Sequence, residues 1–209
     1  MNIIRQRAQE HFPTVLLTLL SIVQALALEL MWEHIQETPY LFDGSWQAYV
    51  SWFQIVTTLF GVVLIWVVYA SNAMRFRWTP TTADSVYPFI IGLLEFWQIA
   101  LLGVDDVGLW GILMAIIFAA MVLVSHLTMR NARHTGDNGS FFAESQPATI
   151  KDFASAVAAI VLLVLSGSYV WLTHNTGAAA LVLILMVFAL LVWQYRSTTI
   201  FWNSSVREE

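Results

Sequence analysis

Residues 93–103 read LLEFWQIALLG, an apolar and aromatic run with Glu95 inside it. Widened to residues 85–104, the run is long enough to cross a bilayer, since a membrane helix takes about 20 mostly apolar residues at about 1.5 Å each. Glu95 then lies about ten residues from either end, roughly 15 Å from each interface. A carboxylate at that depth costs about 2.5–3.5 kcal/mol on insertion scales, while each apolar neighbour returns a few tenths. The helix can insert, but the acid must turn away from lipid. It holds a proton there unless a cation or a donor sits close by.

The rest of the chain repeats the pattern. Of 209 residues, 58% are hydrophobic and 11% charged, with a mean hydropathy of +0.69. A soluble domain carries about 25% charged residues, so this composition points to a membrane protein. Six stretches qualify as spans, near 13–35, 46–72, 85–104, 107–129, 152–174 and 177–199. The expected fold is all-α: one polytopic transmembrane domain over residues 1–209, six helices as three helical hairpins. The ten tryptophans suit two aromatic belts at the lipid interfaces. The longest gap, 130–151, is polar and carries Gly136, Gly139 and Pro147; it reads as a flexible cytoplasmic loop. The start of the chain has some features of a signal peptide, with Arg5 and Arg7 before an apolar run and Ala25-Leu26-Ala27 as a small-x-small site. The segment stands in the chain and reads as a true span.

Helix starts are marked by Asp43 and Ser45, by Asp84, by Asp105 and Asp106, and by Thr149 with Asp152. Such side chains accept from the orphan amides of a helix N-terminus. Asn175 and Gly177 suit a tight turn between the last two spans. All nine basic residues fall on one side of this layout: Arg5, Arg7, Arg75, Arg77, Arg130, Arg133, Lys151, Arg196 and Arg207. The positive-inside rule then places both termini in the cytoplasm. The expected location is a prokaryotic cytoplasmic (inner) membrane.

LLSIVQALALEL (19–30) and LLEFWQIALLGV (93–104) align with Gln24 opposite Gln98, and Pro13 and Pro88 open the two helices. LLVLSGSYVWL (162–172) is a poorer match. A duplication would be a parallel repeat of helical hairpins.

Several groups could carry chemistry. Glu95 is a proton or cation site, or else a protonated acid bonded to Gln98, Gln24 or a serine as packing glue. Thr14, Thr18, Ser21, Ala25 and Glu29 share one face of the first span, which either lines a water path or lets a neighbouring helix approach. Gln54, Thr58 and Gly61 share a face of the second, beside Thr57, and Ser166, Gly167 and Ser168 lie near mid-depth in the fifth. The expected ion pathway is Glu95, Gln98, Gln24, Glu29, Ser21, Thr18 and Gln54. In LELMWEHIQE (28–37), Glu29, Glu33 and His34, with Glu37 following, could hold a divalent cation, or form a solvated helix end. Asp43, Asp105, Asp106 and His174 would make the outer mouth acidic and concentrate cations.

Other classes lack support. The chain has no cysteine, which excludes disulfides and thiolate metal sites. No dense basic cluster suggests nucleic acid. His11, His34, His126, His134 and His174 fall at span ends or in loops, unlike a haem pair at facing depths. No catalytic motif is present, so no cofactor is assigned and enzyme activity has no positive signal. Three readings remain: a small channel or transporter for protons or cations, a structural or accessory subunit of a larger membrane complex, and a membrane metal enzyme built on Glu29, Glu33 and His34. The expected partners are the lipid bilayer and either copies of the chain in a homo-oligomer or the subunits of a membrane complex. A pore reading favours the oligomer, because six helices barely enclose a pore alone.

Overall fold

The computed structural model describes residues 3–78, 80–134, 138–139, 142 and 147–206. Among them there is no strand. Six long helices carry the fold: α1 (Ile3–Glu37), α2 (Trp46–Arg75), α3 (Thr82–Ala100), α4 (Val107–Arg133), α5 (Ala154–Thr173) and α6 (Ala178–Val206). Five segments are long and apolar enough to cross a membrane: Gln6–Glu37, Trp46–Arg75, Val104–Arg133, Ile150–Thr173 and Ala178–Asn203. The sixth helix, α3, falls outside that set. It has 19 residues, and Asp84, Glu95 and Gln98 among them dilute its hydropathy. Pro13 and Pro88 lie within α1 and α3 rather than opening them, since both helices start further upstream.

The helix ends follow local chemistry. The Ser45 side chain caps α2 by accepting from the Ala48 amide at 3.2 Å, and the Ser45 amide donates to Asp43 Oδ1 at 2.8 Å. These contacts with Ser45, side chain first and backbone second, hold the Asp43 carboxyl below its ordinary range. Asp84 sits inside the first turn of α3 and accepts from the Thr81 amide at 2.7 Å. Asp152 does the same for Thr149 at 2.7 Å, opening a short turn that leads into α5. Asp105 and Asp106 belong to a 3-10 turn, and Asp106 makes no side-chain cap to α4. At the α5–α6 turn, His174 takes the left-handed conformation (φ 50°), and the Gly177 amide donates to Asn175 Oδ1.

Side-chain contacts give the helix directions. Phe60 of α2 meets Phe188 of α6, and Arg75 meets Phe201, so α2 and α6 run parallel. Gly108 at the start of α4 lies against Trp171 at the end of α5, while His126 meets Phe153 at the start of that segment, so α4 and α5 are antiparallel. Their close approach needs glycine. A Cβ on Gly108 would stand 2.5 Å from the Trp171 amide nitrogen, and one on Gly167 would stand 2.8 Å from the Gly108 carbonyl.

Two apolar cores form, one toward each end of the bundle. The first joins Met31, Leu41, Val50, Leu102, Val107, Trp110, Val170 and Leu183. The second joins Leu16, Leu20, Tyr69, Phe76, Trp78, Ile91, Val124 and Ala132. Arg75, Arg77, Arg130 and Arg133 lie beside the second core, which marks the basic end. Many large apolar side chains point outward, among them Leu93, Trp97 and Phe89 of α3.

The 130–151 segment was expected to be a flexible loop. In its described part, Asn138 is buried, accepting from the Arg77 amide and donating to the carbonyls of Arg77 and Ala132. Phe142 stacks on Phe76 with ring centroids 5.6 Å apart. One polar side chain thus satisfies the backbone left open where α2 ends. Residues 135–137, 140–141 and 143–146, including Gly136, lie outside the described residues.

Candidate functional site

The inward face of α3 carries Asp84, Glu95 and Gln98 beside Ile91 and Ile99, while much of its outward face is large and apolar. Asp84, Gly92, Glu95 and Gln98 are buried, while Leu93 and Trp97 are more than half exposed. Glu95 is 2% exposed and Gln98 1%. Gln24 of α1 reaches the acid: its Nε2 donates to Glu95 Oε1 at 3.2 Å and to the Val62 carbonyl of α2 at 2.7 Å. Gln98 Nε2 donates to the Trp110 carbonyl at 3.0 Å. The Trp110 indole donates to Thr58 Oγ1 at 3.0 Å, and Thr58 donates on to the Gln54 carbonyl at 2.9 Å. Two acceptors in this layer stay open, Glu95 Oε2 and Gln98 Oε1.

Glu95 is not central in its helix. It stands five residues before Ala100, where the helix ends. Gln24 and Val62, near the middle of α1 and α2, nevertheless put the carboxylate in the interior between the two cores.

Glu95 and Gln98 line a cavity of about 350 Å³. Its walls are largely apolar, including Val62, Ile65, Met114, Ile117, Phe118 and Met121. The cavity continues along α4 to Ser125, His126 and Met129, about 20 Å at the helical rise, and meets Asp152, Ser155, Gln194 and Ser197. Asp152, Ser155 and Trp193 are exposed while Glu95 and Gln98 are buried, so the cavity meets the surface at the basic end and beside α6 and has its blind end at the acid. Beyond Glu95, toward the other end, the first core closes the path. There Gln54 is held by Leu101 and Gly103: its Nε2 donates to the Leu101 carbonyl at 3.1 Å, and its Oε1 accepts from the Gly103 amide at 2.9 Å.

The residues expected to form one pathway divide into three places. Glu95, Gln98 and Gln24 come together, with Thr58 and Gly61 on the cavity wall. Gln54 and Thr57 are buried in backbone bonds, Thr57 donating to the Phe53 carbonyl. Thr14, Thr18, Ser21, Ala25 and Glu29 are exposed on the outside of α1 and line no part of the cavity. Thr18 donates to the Thr14 carbonyl, and Ser21 accepts from the Trp66 indole. The Gln24/Gln98 alignment also pairs Ser21 with Glu95, one exposed and one buried, so matched positions face different surroundings.

Glu29, Glu33 and His34 do not assemble a metal site. Among the described residues no three His, Asp or Glu side chains gather for one. Glu29 and Glu33 point outward, and His34 is rotated about 100° from Glu33 around the helix. Asp43, Asp105 and Asp106 are exposed at the closed end, away from the cavity. Gly167 serves the α4–α5 contact described above.

The inner half of the cavity escaped the sequence reading. Ser125, Gln194 and Ser197 are single polar residues inside apolar helices, without a spacing to single them out, and Asp152 reads locally as a cap. No family model matches the chain, and no curated protein or solved structure matches it.

Proposed function

We propose that the chain is an integral membrane transporter for protons or cations, with Glu95 as the group that carries the ion. The observation that carries this reading is a buried carboxylate at the blind end of a cavity reaching the basic end of the bundle. Ionisable groups inside membranes mark ion and proton pathways, because their insertion cost must be offset by function or pairing. The blind end favours a carrier that opens alternately to each side over an open pore.

All six helices cross the membrane in this proposal. The burial of Asp84, Glu95 and Gln98 and the outward exposure of Phe89, Leu93 and Trp97 support a membrane position for α3, and its 19 residues span about 28 Å, close to the hydrocarbon thickness. Both termini then lie on the cytoplasmic side with the basic residues, in a prokaryotic inner membrane. The cavity lies within one chain, so an oligomer is not needed to form it.

An accessory-subunit role is the second reading. The exposed small and polar face of α1, with its shallow groove along Thr14, Thr18, Ser21 and Ala25, favours it, since such faces let helices pack closely. Proteoliposomes decide between the two. A transporter should move protons or monovalent cations down an imposed gradient faster than empty vesicles. Flux equal to that of empty vesicles would leave the accessory role.

A further inference from the structure

The open acceptors at the blind end specify the kind of cation. The Trp110 carbonyl can only accept, so the Gln98 amide nitrogen must face it, and Gln98 Oε1 is left over. Likewise Gln24 presents its nitrogen to Val62 and to Glu95 Oε1, and Glu95 Oε2 is left over. With Glu95 ionised both leftover atoms are acceptors, closed to solvent in this conformation, and both belong to side chains, at most 2% exposed, that line the cavity. A buried acceptor without a donor is costly, so the site is matched to a ligand bearing several N–H groups and a positive charge.

The walls decide the rest. A bare metal ion such as calcium takes about six to eight oxygen ligands. Here Thr58 is already engaged, and the surrounding Val62, Ile65, Met114, Ile117 and Met121 offer no oxygen side chain. The volume, about 350 Å³, suits a small organic molecule. Among the described residues no Lys or Arg lines the cavity, so a phosphate placed next to the ammonium, as in an aminophospholipid, would go unpaired.

We infer that the blind end of the cavity binds an apolar organic molecule through a primary ammonium group, held by Glu95 Oε2 and Gln98 Oε1, with the apolar body along Met114, Ile117, Phe118 and Met121. This rests on reading Glu95 as the cation-carrying group, and it names the substrate class. A single carboxylate neutralises either a proton or the ammonium, so the two compete for it.

The test is equilibrium binding of radiolabelled 2-phenylethylamine to the purified full chain in detergent. Saturable binding is expected, weakened about tenfold or more by Glu95→Gln. Unlabelled amine should displace the label. The neutral 2-phenylethanol should not, and the trimethylated ammonium, which has the charge but no N–H, should compete about tenfold more weakly. Ala156→Phe, which fills the cavity away from the acid, should weaken binding in a chain that still elutes as one species; it serves if Glu95→Gln fails to fold. Three results would overturn the inference: no saturable binding, displacement by the alcohol as effective as by the amine, or unchanged binding in both variants. Ion flux without amine binding would keep the transport reading and end this one. Amine binding without flux would do the opposite.

Discussion

The Gln24 side chain ties three helices together at one nitrogen, donating to the Val62 carbonyl at 2.7 Å and to Glu95 Oε1 at 3.2 Å. A glutamine on α1 therefore holds the acid of α3 against the backbone of α2. Val62 already has its helical partner, so the extra bond uses the second lone pair of its carbonyl.

Gln24→Leu keeps the volume and removes both bonds. It leaves one carboxylate oxygen without its donor in the interior, at a cost of about 1–3 kcal/mol. Thermal unfolding in detergent should show a lowered Tm. An unchanged Tm would mean that this contact contributes nothing to the packing of α1 on α3.

The α4–α5 contact predicts a contrast between two glycines. Gly108→Ala drives a Cβ to 2.5 Å from the backbone nitrogen of Trp171, which cannot yield cheaply, and should cost about 1–3 kcal/mol. Gly61→Ala meets only Leu191 and Met114 side-chain atoms at 3.8 and 3.9 Å and should be tolerated. Equal stability of the two variants would contradict the close approach of α4 and α5.

Helix number and approximate position were legible in the sequence because a bilayer sets a minimum apolar length, and each turn carries polar residues. Glu95 was legible because a charge inside an apolar run is expensive wherever it points. Direction was not. In lipid, outward and inward faces can both be apolar, so Thr18 and Ser21 gave a clear stripe with no indication that it faces outside. The cavity was hidden for another reason: its walls come from α2, α3, α4, α5 and α6, and no local spacing records which residues meet. Asn138 looked like loop composition because its value lies in the backbone it satisfies on a distant segment.

Asn138→Ala removes the side chain that bonds Arg77 and Ala132. Buried backbone groups lose their partners, so the loop should detach at a cost of about 1–3 kcal/mol. Limited proteolysis after Arg130 or Arg133 should accelerate. Cleavage at the wild-type rate would show that Asn138 does not hold this loop.

Ser45→Ala removes the hydroxyl that accepts from the Ala48 amide at the start of α2. The loss should be about 0.5–2 kcal/mol, and Ser45→Asp should restore most of it. Stability measured for the pair distinguishes a cap from a general effect of altering the turn, since a failure of Asp to rescue would argue against the cap.

The most direct measurement is gradient-driven proton and cation flux in proteoliposomes, comparing wild type with Glu95→Gln at equal protein content. The substitution keeps the size and Oε1 acceptor of the side chain but cannot ionise. Abolished flux in a variant of near wild-type stability is the predicted result. Equal flux from both proteins would contradict the central claim that Glu95 carries the ion.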